Sequence, residues 1–396
     1  MAGNANLGAA KAVKNDEFYT QWNDIENEMQ AYLEHNPDVF RDKTVLLPCD
    51  DPGASNFTKY FALNFEKFGL EKLISTSCAP RFNPAADKRG RIYVLERVED
   101  ASEDGRLNKK DLKWDYLEGD GDFRSDEVTA LRDEADMVIT NPPFSLFREF
   151  MVWLVEGGVE FSIIGNMNAI TYKEIFPLIK GNEMWLGASQ MGAKYFALPS
   201  NAPVKANQHE EDGVRFQKFG NIAWFTNIEY DRRHEPLALM TMEDNLVYGS
   251  KKVRSAGYPK YDNYDAIEVP ETKGIPSDYE GVMGVPVTFL DKYSPEQFEI
   301  VGFVGDEHLV TKQYGKKEKV VDGQRMKSDT GALGCTIRYK EFGAGTFFDV
   351  GYPVKQCYMR IFIRHRHLAI QPLSRSRSGR TSLRCKRGLS HVEVRG

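Results

Sequence analysis

The sequence has few residues that could build disulfides or metal sites. Its five cysteines are scattered without a CxxC pair, and of its seven histidines only His365 and His367 lie close together. This pattern is typical of a protein of the reducing cytoplasm, and it argues against a disulfide scaffold or a zinc site, so we predict no bound metal. No run approaches the about 18 apolar residues that cross a membrane, and residues 1–16 lack the apolar core of a signal peptide.

The chain also lacks an overall excess of positive charge. It has 52 Lys and Arg against 58 Asp and Glu, a net charge of −6. Residues 365–396 hold eight basic residues and one acid, so this segment carries +7 and the remainder −13. A local basic cleft is enough to contact phosphates, so the total is no evidence for or against nucleic acid.

Short apolar strands alternate with amphipathic helices in the first half of the chain. The predicted strands cover 43–48, 70–79, 91–98, 136–140 and 160–167, and the predicted helices cover 21–35, 55–69, 125–135 and 146–158. Ser55 is the expected N-cap of the second helix, and Gly69 ends it. This order predicts an α/β fold with a mostly parallel sheet and helices on both faces.

The composition divides the chain into five segments. We predict a disordered N-terminus over 1–14, the α/β domain over 15–180, an irregular α+β region over 181–300, strands packing on the body over 301–364, and a basic low-complexity tail over 365–396.

The segment DMVITNPPFSLF, residues 136–147, ends an apolar strand in a stiff polar loop. Proline cannot donate a hydrogen bond to a sheet, so Pro142 and Pro143 end the strand and fix the backbone after Asn141. Ligands of parallel sheets bind beyond the carboxyl ends of strands, where this loop falls. A plain strand-ending turn is the alternative.

This loop has the groups needed to activate a planar amine. The exocyclic amine of a purine is a weak nucleophile because its lone pair is delocalised into the ring. The side-chain carbonyl of Asn141 and the backbone carbonyl of Pro142 can accept its two N–H groups and favour tetrahedral nitrogen. Pro143 stiffens the loop, and Phe144 can stack on the ring. These four residues are therefore predicted to be catalytic in methyl transfer.

Methyl transfer to an amine implies S-adenosylmethionine as the cofactor. The loop PCDDPGAS, residues 48–55, follows the first strand and leads into a helix. Its Asp50, Asp51 and Ser55 are candidates to line the site, because helix N-terminal amides suit a carboxylate and acidic side chains suit an ammonium group or a ribose. The loop lacks GxGxxG, and ordinary turn chemistry is the alternative.

Two further segments offer weaker candidates for the same site. In GDGDFRS, residues 119–125, Asp122 could accept from the adenine amine and Phe123 could pack on the ring, with a solvated turn as the alternative. In NDEFYTQ, residues 15–21, Tyr19 and Thr20 precede the first helix, where a staple packing on that helix is the alternative.

The pair Pro48–Cys49 raises the question of a cysteine nucleophile. Cytosine-C5 methyltransferases use a Pro-Cys pair, but here the pair falls in the loop where the cofactor is expected. We therefore expect Cys49 to line that loop and not to attack a base.

Eight segments in order resemble the EcoRI-type adenine-specific DNA methyltransferases of type II restriction–modification systems. They are NDEFYTQWNDIENEMQAYLEH, CDDPGASNFTKYFALNF, GDGDFRS, TNPPFSLFREF, ITYKEIFPLIK, WFTN, YPKYDNYDAI and IPSDYEGVMGVPVTFLDKYSPEQFE. The resemblance implies a Rossmann-like S-adenosylmethionine-dependent fold with gamma-class motif order. It implies a site-specific DNA-methyltransferase (adenine-specific) that acts on N6 of an adenine flipped out of duplex DNA.

The resemblance also assigns roles to residues. It implies that Tyr19 and Thr20 contact the amino-acid end of the cofactor, that the loop Cys49, Asp50, Asp51, Pro52 and Ser55 is its main binding segment, and that Asp122 and Phe123 hold its adenine. It makes 181–300 the target-recognition region. Candidate DNA contacts in or near this region are Lys194, Lys205, Arg254, Lys260 and Lys273.

Several functional alternatives stay open at this point. The same loop serves RNA adenine-N6 and protein-glutamine methyltransferases, and a nucleic-acid-binding protein with a degenerate catalytic fold belongs to a third class. We expect duplex DNA as partner, no membrane and no obligatory protein partner, and we leave open a cognate restriction endonuclease. The recognition sequence GAATTC follows from the resemblance alone.

Overall fold

The computed structural model describes residues 20–79, 87–97, 113–189, 192–198, 208–315, 317–327, 333–339 and 345–366. The predicted disordered N-terminus, Tyr19 and the tail from residue 367 onward lie outside these ranges. None of the helices in the described ranges has the length and apolar composition that a membrane span requires.

The first half of the chain forms the alternating elements that its pattern predicts. Its helices are α1 (Trp22–His35), α2 (Asn56–Leu63), α3 (Phe65–Phe68), α4 (Asp126–Glu134), α5 (Phe147–Gly157) and α6 (Phe176–Lys180). Its strands are β1 (Thr44–Leu47), β2 (Lys72–Ser77), β3 (Arg91–Glu96), β4 (Asp115–Tyr116), β5 (Met137–Thr140) and β6 (Glu160–Asn166). The second predicted helix is split at Asn64, and Ser55 is its N-cap as expected.

The second half is richer in strands. They are β7 (Trp185–Leu186), β8 (Gly192–Ala197), β9 (Gln208–Glu211), β10 (Val214–Thr226), β11 (Ile267–Glu268), β12 (Met283–Pro286), β13 (Phe298–Phe303), β14 (Glu318–Val321), β15 (Gln324–Lys327), β16 (Thr336–Arg338), β17 (Thr346–Asp349), β18 (Pro353–Gln356) and β19 (Arg360–His365). Two short helices, α7 (Met242–Tyr248) and α8 (Lys251–Ala256), precede β11.

Among the residues that the structure describes, ten strands form the main sheet. Along its path the order is β4–β3–β2–β1–β5–β6–β10–β7, and β8 and β9 also pair with β10. The four central strands β2, β1, β5 and β6 are parallel, and their carboxyl ends lie at one edge. The α/β class is confirmed, and the loops that follow the neighbouring strands β1 and β5 lie together at this edge.

The sheet is less parallel than the sequence predicts. On one side β3 and β4 are antiparallel to their neighbours, and on the other side so are β10 and β7. No crossover helix separates β2 from β3 within the described residues, so the chain returns along β2 in the opposite direction. Parallel neighbours need such a crossover, which explains why only the helix-linked strands run parallel.

The boundary predicted at residue 180 is not where the sheet ends. Strand β10 pairs along β6 from Ile222 opposite Asn166 to Thr226 opposite Ser162. The strands between 185 and 226 therefore extend the main sheet, and the irregular region begins only after them.

The described residues also form two smaller sheets. One has the order β11–β12–β19–β13, and the other has the order β15–β14–β17–β18–β16. Ile267, Met283 and Ile361 of the first smaller sheet share one apolar core with Phe150 and Phe161 of the main sheet and its helices. The four-stranded sheet is thus joined to the main sheet by continuous apolar packing.

Candidate active site

The loop Asn141–Phe144 lies at the carboxyl end of β5. Thr140, the last residue of the strand, is fully buried and pairs in parallel register with Ile163 of β6. Pro142 is buried, whereas Asn141 and Phe144 are half-buried. A 3-10 turn over Phe144–Leu146 then leads directly into α5. The stiff strand-ending loop therefore has the predicted place in the sheet.

The ring of Phe144 is held by two aromatic side chains from the strands after residue 180. Its centroid lies 6.4 Å from that of Phe196 in β8 and 6.0 Å from that of Phe219 in β10, and both contacts are edge-to-face. Phe196 is fully buried. The later strands of the main sheet thus fix the aromatic end of the loop.

A buried carboxylate joins this loop to the loop after β1. Asp50 is 5% exposed. It accepts hydrogen bonds from the hydroxyl of Thr140 on Oδ2 at 2.5 Å and from the hydroxyl of Ser55 on Oδ1 at 2.6 Å. Its backbone is held as well, because its carbonyl accepts from the hydroxyl of Ser75 at 2.7 Å. Asp50 therefore ties the end of β1, the start of α2 and the end of β5 together.

Burial governs the protonation of this carboxyl. Desolvation raises the pKa of Asp50 to about 7, against the opposing effect of the hydrogen bonds from Ser55 and Thr140. Its two oxygens point at protein hydroxyls, so the side chain positions the two loops. The sequence predicted Asp50 as a cofactor ligand. In the structure its carboxylate instead bridges the loop after β1 and the end of β5.

Asp51 caps the turn that follows. Its Oδ1 accepts from the backbone amides of Gly53 and Ala54 at 2.8 and 3.0 Å, and its Oδ2 pairs with Arg91 at 3.0 Å. The guanidinium of Arg91 in turn lies over the ring of Trp114 at 4.4 Å. The predicted Asp-Asp-Pro-Gly turn is thus formed, and the carboxylate of Asp51 closes it.

Thr20 lies beside the start of α2. Its carbonyl accepts from the side-chain amide of Asn56 at 2.8 Å, and the residue is 2% exposed. Within the described part of the chain its hydroxyl oxygen is buried without a hydrogen-bond partner. A buried hydroxyl without a partner is costly, so a bound polar group is the expected occupant of this position. Thr20 therefore fits the predicted contact with the amino-acid end of the cofactor.

Asp122 and Phe123 lie at the turn before α4. The carboxylate of Asp122 forms a two-point ion pair with Arg124, with Nε at 2.9 Å and Nη2 at 2.7 Å. Phe123 is 3% exposed and packs edge-to-face on Phe150 and Trp153 of α5, with centroids 4.9 and 5.6 Å away. Phe123 therefore packs in the core between α4 and α5, where little of its ring is open to a ligand.

Cys49 lies half-buried in the loop after β1. Desolvation, with smaller contributions from Cys78 and Asp50, raises the pKa of its thiol well above the ordinary value. Because the thiolate is the nucleophilic form, this environment disfavours nucleophilic catalysis. The expectation that Cys49 lines the loop and does not attack a base agrees with this chemistry.

Some residues with a structural part in the site were not identified from the sequence. They are Thr140, which binds Asp50, and Phe196 and Phe219, which hold Phe144. The apolar spacing of VRFQKFGNIAWFT indicates a strand but not its partner. Lys194, a candidate DNA contact, is instead paired with Asp24 at 2.6 Å and is only 12% exposed.

Comparison with known proteins identifies the family of this chain. A family model described as adenine-specific methyltransferase EcoRI matches residues 6–366. The chain belongs to this family. This match confirms the resemblance to the EcoRI-type methyltransferases that the motifs indicated. It also confirms the predicted methyltransferase fold class and the predicted function as a DNA adenine methyltransferase.

Individual relatives support the same family. The type II methyltransferase M.EcoRI of Escherichia coli is 45% identical over 314 residues, covering 76% of this chain and 91% of that one. M.MpnI of Mycoplasma pneumoniae is 38% identical over 300 residues, covering 74% and 83%. M.MgeORF184P of Mycoplasma genitalium is 37% identical over 297 residues, covering 74% and 84%. This EcoRI-family methyltransferase thus matches most of the length of each relative.

Proposed function

We propose that this enzyme transfers a methyl group to N6 of an adenine flipped out of duplex DNA, as a type II modification enzyme, and that Asn141 to Phe144 are its catalytic residues. The observation that carries the proposal is the place of the Asn-Pro-Pro-Phe loop. It lies at the carboxyl end of a central parallel strand and is tied by Thr140 and Asp50 to the loop after β1. Ligands of such sheets bind at that edge.

The loop acts on the amine through hydrogen-bond acceptors. The side-chain carbonyl of Asn141 and the backbone carbonyl of Pro142 accept the two N–H groups of adenine N6, which draws the nitrogen toward tetrahedral geometry and frees its lone pair. Pro142 and Pro143 restrict the backbone, so these acceptors are preorganised. Phe144, braced by Phe219, stacks on the flipped base.

S-adenosylmethionine, when bound, supplies the electrophilic methyl group. Thr20 would bind the amino-acid end, because its buried hydroxyl lacks a partner among the described residues. The loop from Cys49 to Ser55 would hold the cofactor mainly through its backbone, since Asp50 and Asp51 use their carboxylates within the protein. Asp122 remains our proposed acceptor for the adenine amine, because its turn follows the strands of this sheet edge and leads directly into α4.

In this reaction the nitrogen loses its proton after the methyl group has been transferred. The methylated nitrogen becomes an ammonium that loses its proton readily, so Asn141 needs only to accept hydrogen bonds and no strong base is required at the loop. A neutral amide is suited to this task, because it accepts without competing for the proton.

Labelled cofactor and mixed-sequence duplex DNA test the proposal. We expect label at adenine N6 in a single motif that sequencing will identify, with GAATTC as the motif suggested by the resemblance. Removing one preorganised hydrogen-bonding group from a catalytic site costs about 100-fold or more in rate. Asn141→Ala should therefore reduce kcat by at least that factor while cofactor binding persists.

Asn64→Ala serves as the matched control, because Asn64 lies at the α2–α3 junction, where its amide donates to the carbonyl of Tyr60. The control should keep its rate. Robust methylation by Asn141→Ala would contradict the catalytic assignment. Transfer to RNA or to a protein amide, with none to DNA, would favour the other substrates that such loops serve.

A further inference from the structure

A short basic and apolar surface lies outside the site described so far. Residues 246–260 contain Lys251, Lys252, Arg254 and Lys260 and no acid, in a chain whose net charge is −6. This concentration of positive charge falls on α8 and the segment after it, in the region proposed for target recognition.

Three consecutive apolar or aromatic side chains precede these cations. At the end of α7, Leu246 is 43% exposed, Val247 is 53% exposed and Tyr248 is 76% exposed. Runs of exposed apolar residues are unfavourable in a folded chain unless they serve a contact. The exposure of these three side chains therefore indicates a surface that contacts another molecule.

The exposure of Leu246 to Tyr248 does not result from fraying at the end of α7, because buried residues hold both α7 and α8 in place. Asn245 of α7 is fully buried, and its carbonyl accepts from the backbone amide of Gly249 at 2.9 Å. Val253 of α8 is also fully buried and packs so closely on Gly274 that a Cβ there would lie 2.6 Å from its Cγ2. The two helices are anchored at these points, and the side chains between them are held outward.

The cations on α8 are available for an external anion. Lys251, Lys252 and Arg254 are exposed, and among the described residues none of them forms an ion pair. The nearest acid in sequence, Asp244, instead accepts from the hydroxyl of its own helix cap, Thr241, at 2.9 Å. Other cations of the described residues are paired internally, as Lys72 is with Glu96 and Glu134.

We propose that this surface, Leu246 to Tyr248 with Lys251, Lys252 and Arg254, contacts the duplex DNA substrate. The proposal rests on the DNA methyltransferase function. In this proposal the three exposed cations neutralise phosphates, and Tyr248 with its exposed apolar neighbours contacts sugars and base edges in a groove. Apolar side chains next to phosphate-binding cations are the combination that proteins use to deform a duplex.

The salt dependence of DNA binding tests the cations. The logarithm of the binding constant falls with the logarithm of salt concentration by about 0.9 for each phosphate contact, so three contacts contribute about 2.7 to the slope. The combined variant Lys251→Gln, Lys252→Gln, Arg254→Gln should lower the slope by about that amount. The loss should be equal on cognate and scrambled duplexes, because phosphates carry no sequence.

Single variants provide the matched controls. Lys252→Gln should lower the slope by about 0.9, whereas Lys67→Gln, at an exposed lysine of α3, should leave it unchanged. Tyr248→Ala should weaken binding about tenfold with the slope unchanged, since truncating an aromatic anchor of an interface weakens binding without removing a phosphate contact. Tyr358→Ala, at a tyrosine that is 89% exposed elsewhere, should have no such effect.

Binding of labelled cofactor checks that each variant is folded. An unchanged slope in the triple variant, with cofactor binding intact, would overturn the proposal. A change of oligomeric state in the triple variant or in Tyr248→Ala, seen by sedimentation with DNA binding unaltered, would assign the surface to a second copy of this chain and would also overturn it. If the wild-type protein neither bound nor methylated duplex DNA, the function itself would fail, which is a different result.

Discussion

The hydrogen bond from Thr140 to Asp50 allows a sharp test of how the two loops are positioned. Thr140→Val keeps the shape of a buried β-branched side chain and removes one hydroxyl. Asp50 then loses the partner of its Oδ2, which now lies 2.5 Å away. The residue changed is next to Asn141 but supplies no atom to the proposed reaction.

The expected loss of stability depends on the charge of Asp50. A hydrogen bond to an ionised group contributes about 1.5–3 kcal/mol, and one between neutral groups about 1 kcal/mol. At pH 8, above its pKa of about 7, the carboxyl is mostly ionised, so we expect Thr140→Val to lower the free energy of unfolding by about 2 kcal/mol. At pH 5.5 the loss should be nearer 1 kcal/mol.

The direction of this pH dependence follows from linkage. The folded protein holds the proton of Asp50 up to about pH 7, whereas the unfolded chain releases it near its ordinary value of 3.8. The folded state therefore binds more protons across this interval, and the contribution of Asp50 to stability falls as the pH rises through it. Loss of the Thr140 hydroxyl raises the folded pKa further, so the difference between the variant and the wild type widens above pH 7.

Urea unfolding at the two pH values and single-turnover methylation provide the measurements. Thr226→Val is the matched control, because Thr226 is a fully buried threonine of β10 whose hydroxyl donates to the carbonyl of Phe161 at 2.8 Å. Thr226→Val should lower the free energy of unfolding by the same amount at both pH values. Thr140→Val should reduce the methylation rate about 10- to 100-fold, since small displacements at a reacting centre have effects of this size.

Two outcomes would refute this account of the link. Equal losses of stability at pH 5.5 and 8 would show that Asp50 does not change its charge in this interval. An unchanged methylation rate in a folded, cofactor-binding Thr140→Val would show that the bond does not position Asn141.

Three further predictions concern the frame around the site. Gly165→Ala places a Cβ 2.4 Å from the ring of Phe147, so it should cost about 1–3 kcal/mol in urea unfolding and slow methylation by moving the start of α5. Glu28→Ala removes the buried acceptor of two backbone amides and of the Tyr32 hydroxyl. Three hydrogen bonds of about 1 kcal/mol each are lost, so a loss of about 3 kcal/mol is expected, and a loss below about 1 kcal/mol would contradict it. Cys49→Ser should keep kcat within about twofold, because the raised pKa keeps the thiol protonated.

Local sequence rules predicted the elements of the first half well. Ser55 caps α2 as predicted, and β5 ends just before Asn141 and the two prolines. These features depend on residues a few positions apart, so they can be inferred from the chain alone. The extent of the main sheet could not, because the pairing of β10 with β6 joins residues about 60 positions apart.

Sequence alone thus determined the class of fold, the order of the motifs and the family, because periodicity, proline placement and collinear segments are properties of the chain. Tertiary structure decided what each polar group touches. In the folded protein Asp50 accepts a hydrogen bond from Thr140, and Phe123 is buried in the core. Phe219 packs on Phe144, and Tyr248 stays exposed. The physical reason is that hydrogen bonding and burial depend on neighbours brought together by folding, and spacing along the chain does not specify those neighbours.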